Sequence, residues 1–216
     1  VLDGGRTLTP ALAARLQAFV DRGGGLVLAA DEGVKPALWH QHLGRLLPAR
    51  LERFHVENLG GDTFATLSRT AFGLSALRAF ETGEDGDITN ARFYGWTEFD
   101  ELADGAEVLV RFADRSPFLV RLPRAEGAVL LLAAGLNARS NNLVVREFCF
   151  PFLVRLFSEA AAGGIYPRTR APGSPVRLRL GSTEGLRAVT FRVEEGATTP
   201  VTPVEQDGSA VAVAPN

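Results

Sequence analysis

The chain has 216 residues, 46% of them hydrophobic and 22% charged, which fits one folded domain or a domain with a small appendage and excludes general disorder. Its formal net charge of -2 offers no basic surplus for a nucleic-acid partner. No apolar run approaches the about 20 residues of a membrane span, and no charged start followed by an apolar run marks a signal peptide.

Val1-Leu2-Asp3 reads as the end of a buried strand, and Gly4-Gly5 turns the chain. Thr9-Pro10 opens a helix, with Thr9 as cap and Pro10 in the first turn. Leu12, Leu16, Phe19 and Val20 recur at helical spacing and form its apolar face. Gly23-Gly-Gly25 stops the helix, and Leu26 to Ala30 follows as a continuously apolar strand, buried on both faces. Strand, helix, glycines and strand make a parallel βαβ unit. A second helix is predicted from Lys35 to Leu47, with Leu38, Leu43, Leu46 and Leu47 inward and Pro48 as its stop.

The pattern weakens from Leu51 to Asp104. Leu74, Leu77 and Phe80 suggest a short helix, Gly83 to Asp87 a polar turn, and Ala91 to Phe99 a strand with Phe93 and Phe99 inward. Three strands then follow: Glu107 to Phe112, Pro117 to Leu122 and Ala128 to Ala134. In the first, Val108, Val110 and Phe112 alternate with Glu107, Leu109 and Arg111; turns at Asp114-Arg-Ser116 and Arg124 to Gly127 close an antiparallel meander. A long helix is predicted from Asn142 to Ala162, with Pro151 kinking it or marking a restart. Residues 163–175 are rich in Gly and Pro and read as a linker. Beyond it, strands are expected at Val176 to Leu180, Ala188 to Val193, Val201 to Val204 and Ala210 to Val213, too few for a full immunoglobulin-like sandwich.

Candidate chemistry is sparse. The triple glycine lies between a helix and the following strand, whereas a phosphate loop follows a strand and precedes a helix, so it reads as a helix stop. Asp31-Glu32-Gly33 lies beyond the carboxyl end of a strand, where open α/β sheets bind ligands; the two carboxylates could serve as base or ligand, or cap the next helix. Ser140-Asn-Asn142 also follows a strand; it reads as a helix cap, with Asn141 able to line the same crevice. His40 and His42 are two apart on a helix and do not share a face; His55 stands alone. No HExxH, CxxC or other metal spacing occurs, and no cofactor motif. Tyr94-Gly-Trp96 reads as aromatic core packing on a strand. Cys149, the single cysteine, lies among phenylalanines and reads as a buried, inert thiol.

Two stretches carry a resemblance. "LTPALAARLQAFVDRGGGLVLAADEGVKPALWHQHLGRLLPARL" and "VLVRFADRSPFLVRLPRAEGAVLLLAAGLNARSNNLVVREFCFPFLVRLF" resemble, in their order, the glutamine-amidotransferase-like domain of large bacterial membrane proteins of the aerotolerance (Bat) type, over about residues 1–160. The resemblance implies a flavodoxin-like, amidotransferase-like open sheet with an antiparallel extension over residues 1–162. It further implies a partial immunoglobulin-like β segment over 176–216, membrane helices elsewhere in the parent, and an envelope location, the periplasmic side favoured. The absence of Met and the start at Val1 agree with an excised piece. Class I glutamine amidotransferases carry a Gly-x-Cys-x-Gly elbow and a later His-x-Glu. Here the elbow position is Ala30-Asp-Glu-Gly33, and no His follows His55, which excludes glutamine hydrolysis of that kind and leaves no catalytic residue to assign.

The expectation is therefore a noncatalytic scaffold or binding domain, partnered by other domains of its own protein or by envelope proteins, without cofactor or metal, and with Asp31, Glu32 and Asn141 as candidate ligand-binding residues. The alternative is a hydrolase-type or sugar-metabolism enzyme of the same fold, using Asp31 and Glu32 as acid and base in a deep pocket. A third is a pure assembly module with an exposed apolar patch.

Overall fold

A computed structural model describes residues 2–3, 8–57, 62–68, 77, 79–83, 85–124, 127–161, 176–180, 189–192, 198–201, 204–206 and 209–214. The chain divides into two compact units, Val1–Gly164 and Ile165–Asn216. In the first, the elements in order are β1 (Leu2–Asp3), α1 (Pro10–Asp21), β2 (Gly25–Ala29), α2 (Pro36–Leu43), β3 (Ala49–Val56), β4 (Ala65–Thr66) and α3 (Ala79–Thr82). There follow β5 (Arg92–Phe93), β6 (Gly95–Leu102), β7 (Glu107–Arg111), β8 (Pro117–Arg124), β9 (Gly127–Leu132) and α4 (Cys149–Ala161).

The unit is a mixed α/β fold with an open sheet of order β1-β2-β9-β8-β7. β1 pairs parallel with β2 (Leu2 opposite Leu28), and β2 parallel with β9 (Val27 opposite Leu130). β9, β8 and β7 form the expected antiparallel meander. α1 begins as its sequence dictates: Thr9 is extended, its hydroxyl accepts the Leu12 N–H at 3.2 Å, and Pro10 fills the first turn. It ends at Gly23, whose φ of 91° suits glycine and whose N–H donates to the Val20 carbonyl.

Alternation along β2 and β9 assigns the two faces of the sheet. Leu26, Leu28, Val129 and Leu131 pack with Val20, Trp39, Leu43 and Leu46 beneath α1 and α2. Val27, Ala29, Leu130 and Leu132 pack with Phe93, Phe112, Phe118, Phe152 and Leu156 on the other face. Strands covered on both sides need the unbroken apolar runs seen here.

Several expectations are corrected. Phe19 is 45% exposed and lies over Gly24 instead of in the core; Ala13 and Val20 carry the buried face of α1. α2 stops at Leu43, four residues early: a tight turn brings the Leu46 N–H onto the Leu43 carbonyl and drops Leu46 and Leu47 into the core, while Trp39 takes the inward place expected for Leu38. β3 was not anticipated, because bulges between Ala49 and Leu51 and between Leu51 and Phe54 break its alternation against β6. A register shift between Val108 and Val110 likewise buries both Leu109 and Val110 in β7. The strand expected over 91–99 is divided at Tyr94, where the N–H groups of Tyr94 and Gly95 both donate to the Ser140 carbonyl.

The long C-terminal helix is a 3-10 turn at Leu143–Val145 followed by α4. Pro151 is the third residue of α4, where its missing N–H has no partner to lose, so it starts the helix without kinking it. Leu77 and Phe80 are buried beside the one-turn α3. Leu74 and the turn at Gly4-Gly5 lie outside the described residues.

In the second unit the strands are β10 (Val176–Leu180), β11 (Val189–Arg192), β12 (Thr198–Val201), β13 (Val204–Gln206) and β14 (Ser209–Ala214). They pair antiparallel in the orders β10-β14-β13 and β11-β12. The single strand expected over 201–204 is two strand ends, β12 and β13, flanking positions 202–203. The predicted linker 163–175 lies outside the described residues. Among the described residues no helix is long and apolar enough to cross a membrane.

Candidate functional site

The crevice beyond β2 and β9 is where Asp31, Glu32 and Asn141 were expected to act. Asp31 is half-buried and its Oδ1 accepts the Gly33 N–H at 2.7 Å, a local turn that its side chain stabilises. Glu32 is exposed and forms an ion pair with Arg139 Nη1 at 2.7 Å. Asn141 is 3% exposed; its Nδ2 donates to the Gly135 carbonyl at 2.9 Å and its Oδ1 accepts the Leu143 N–H at 3.1 Å. The Glu32–Arg139 pair thus links the loop after β2 to the loop after β9 that carries Asn141, while Asn141 itself clamps that loop from inside. Asn142 departs from the expected cap: its Oδ1 accepts the Arg92 N–H at 2.7 Å and makes no capping bond. The mouth of β2 is tied down further by Thr97, which is buried and whose hydroxyl donates to the Ala30 carbonyl at 3.0 Å.

Gly25 lets β2 pass α4 closely, since a Cβ there would sit 2.2 Å from the Ala160 carbonyl oxygen. His40 Nε2 accepts the Leu51 N–H at 3.1 Å, which joins α2 to β3. Burial pushes the Cys149 thiol above its ordinary pKa, which suppresses the thiolate and its reactivity. Among the described residues no group of three or more His, Cys, Asp or Glu is placed to hold a metal ion.

A site that the sequence reading did not single out lies on the β3–β6 ribbon. A cleft of about 610 Å³ is walled by His55 of β3 and Glu57 just beyond its end, by Trp96 and Glu98 of β6, by Phe64 before β4, and by Asp114 in the β7–β8 turn. His55 stands opposite Trp96 in the ladder, with ring centroids 4.4 Å apart. Its Nε2 lies 3.1 Å from Glu57 Oε1 and its Nδ1 3.5 Å from Glu98 Oε1. Glu98 also accepts from Arg53 Nε at 2.8 Å, and this hydrogen bond, with the charge of Glu98, raises the Arg53 guanidinium above its ordinary value. The arrangement presents carboxylate acceptors beside an aromatic wall, with an imidazole held between two of the carboxylates.

The sequence carries a signal for this site. His55-x-Glu57 and Trp96-x-Glu98 are two apart, the spacing that puts side chains on one face of a strand. Without β3, His55 had no neighbour across the ladder.

No family model matches the chain, and no curated protein matches it. Solved structures do. Cytoplasmic protein STM3548 from Salmonella typhimurium aligns with a TM-score of 0.55 at 14% identity, over 70% of this chain and 61% of that one. Cytoplasmic protein STM1381 from Salmonella typhimurium LT2 aligns with a TM-score of 0.55 at 16% identity, over 71% of this chain and 62% of its own. A β-galactosidase from Rahnella sp. R3 aligns more loosely, with a TM-score of 0.44 at 14% identity over 94% of this chain and 30% of the enzyme. The chain therefore spans about three fifths of the length of the two Salmonella proteins. At these identities the likeness to those two is one of fold.

Proposed function

We propose that the first unit is a noncatalytic, amidotransferase-like binding domain of a membrane-anchored bacterial envelope protein of the aerotolerance type. In this reading the ligand sits in the His55–Trp96 cleft, and the strand-end crevice holds none. The parallel β1-β2-β9 core with its α1 crossover is the part of the sheet that agrees with a flavodoxin-like ancestry, and the antiparallel β8 and β7 are its extension. The second unit is read as part of an immunoglobulin-like domain, and the partners as other domains of the same protein or envelope proteins.

The carrying observation is the occupancy of the crevice by the protein's own bonds. Asp31 holds the Gly33 N–H with Oδ1, Glu32 holds Arg139 with Oε1, and Asn141 has both amide atoms bonded, to Gly135 and Leu143, with no Ser or Cys at Ala30-Asp-Glu-Gly33 to attack a substrate. The cleft offers open volume and polar groups that face it. The test incubates the purified chain with glutamine and with a panel of nitrophenyl glycosides. The expected result is no turnover above the blank. Turnover that disappears in Asp31→Asn or Glu32→Gln sinks the reading and establishes the acid/base enzyme in its place.

A further inference from the structure

We infer that the cleft takes a ligand bearing an alkylammonium or guanidinium group, the cation entering among the carboxylates and its hydrocarbon stem lying on the aromatic wall. This rests on the cleft being the binding site and adds the chemistry of what it binds.

Charge is the first argument. Glu52, Glu57, Glu98 and Asp114 all line the cleft, and none of its described lining residues is Lys or Arg. In a chain with 23 basic and 25 acidic residues, such a wall is a local concentration of one sign and not a sample of the whole. Arg53 answers Glu98 from outside the lining, and His55 is shared by Glu57 and Glu98. Asp114 uses one oxygen, Oδ1, for the N–H and hydroxyl of Ser116. The remaining carboxylate oxygens are acceptors for an N–H donor carrying positive charge, the pairing in which hydrogen bonds are strongest. An anion entering here meets like charge, and a neutral ligand forgoes the field.

Shape is the second argument. The carboxylates are not spread over a convex face; they border a volume of about 610 Å³, within the range of small-molecule sites. Phe64, Trp96 and Phe99 line the same space; the guanidinium of Arg92 already lies over the Phe64 ring at 4.5 Å, which leaves Trp96 and Phe99 as the wall for a ligand's stem. An ammonium or guanidinium on an alkyl stem uses both walls, through charge at its head and through apolar and cation–π contact along its stem. A bare metal ion uses only one of them, and no described metal-binding group is present. Two sources supply this chemistry: a free amine, or a Lys or Arg side chain on a peptide segment.

The chain has two tryptophans, Trp39 fully buried and Trp96 in the cleft. In Trp39→Phe, which also removes a buried indole N–H without a partner, Trp96 is the sole tryptophan and is excited selectively over the two tyrosines at the red edge of the absorption band. This variant of the full chain is titrated with cadaverine, with its diol analogue, with glutarate, and with a short capped peptide containing Lys and Arg. The inference expects a saturable change in Trp96 emission with cadaverine, the peptide or both, weakening as salt rises. Combined Glu52→Gln and Glu57→Gln should raise Kd by about tenfold or more, the scale of removing close charge partners, while Asp104→Asn, outside the cleft, leaves it unchanged.

A response to cadaverine alone assigns a free amine, and a response to the peptide alone a protein segment. Equal responses to the diol or to glutarate overturn the cationic ligand while leaving the cleft as the site. No response to any probe overturns both. The indole N–H resonance of Trp96 in the unsubstituted chain, followed by NMR, gives the same answers if Trp39→Phe does not fold.

Discussion

Replacing Gly25 with alanine would place a methyl carbon 2.2 Å from the carbonyl oxygen of Ala160 and 2.4 Å from its carbonyl carbon. Neither atom can rotate away, because both belong to the backbone of α4. Relief requires α4 to lift from β2, and with it Phe152, Leu156 and Ala160, all buried against the sheet. Overpacking a core costs about 1–3 kcal/mol, and an obstruction made of backbone belongs at the upper end, about 3 kcal/mol. Gly24→Ala is the internal control. Its methyl meets the ring of Phe19 at 2.5 Å, but that side chain is 45% exposed and can swing outward. The lower entropy of the unfolded alanine chain offsets part of that strain, by about 0.4–1 kcal/mol, so Gly24→Ala should be near neutral. Urea unfolding of the two variants measures both. If Gly25→Ala comes within about 0.5 kcal/mol of Gly24→Ala, the close approach is not what the glycine is for. The phosphate-loop alternative is checked in the same assay: inorganic phosphate should leave the midpoint of the parent chain unmoved.

Asn141→Ala strands the Gly135 carbonyl and the Leu143 N–H in a buried loop and should cost about 3 kcal/mol, whereas Arg139→Ala breaks only an exposed ion pair and should cost under about 0.5 kcal/mol; similar losses in urea unfolding would refute the assignment of Asn141 as the clamp. Cys149 carries a linkage prediction. Its folded thiol titrates above the ordinary 9.0, so as pH rises through that value the unfolded chain loses a proton that the folded chain keeps. Its contribution is therefore intact below the ordinary thiol pKa and declines as pH climbs toward the raised one. The fall in unfolding free energy from pH ~8 to pH ~10 should be shallower in Cys149→Ala, and identical slopes would contradict it.

The parts of the fold that could be read from sequence are those where one local rule acts alone. Thr9-Pro10, Gly23 and the apolar run after it produce α1 and β2 almost to the residue, because cap, stop and burial on both faces each leave a mark within a few positions. The meander was readable from its turns. β3 was not, since its inward residues are out of phase by two bulges that only the partner strand reveals. The same blindness hid the cleft. His55 acquires meaning from Trp96 and Glu98, which lie far along the chain and come beside it only through the β3–β6 ladder. Asp31 and Glu32 follow β2 and Asn141 follows β9, but no sequence rule says whether Asp31 turns its carboxylate to a ligand or to Gly33.

β6 connects the two regions. Its Thr97 faces the sheet, donating its N–H to the Ala133 carbonyl at 2.6 Å and its hydroxyl to the Ala30 carbonyl at 3.0 Å, and so seals the ends of β9 and β2. The residues on either side, Trp96 and Glu98, alternate to the opposite face and meet His55. One strand therefore closes the crevice and builds the cleft, and the two functions can be separated by chemistry at a single side chain. Thr97→Val keeps the shape and the backbone bond but removes the hydroxyl, leaving the Ala30 carbonyl without that donor; the expected loss is about 1–2 kcal/mol of stability. Thr97 also borders the cleft, but its hydroxyl is turned to the Ala30 carbonyl and the alternation of β6 survives, so the emission of Trp96 and any affinity measured in the cleft should stay unchanged. A variant with parent stability but an altered Trp96 signal would show that Thr97 serves the cleft directly, and that the crevice is closed by something other than this bond.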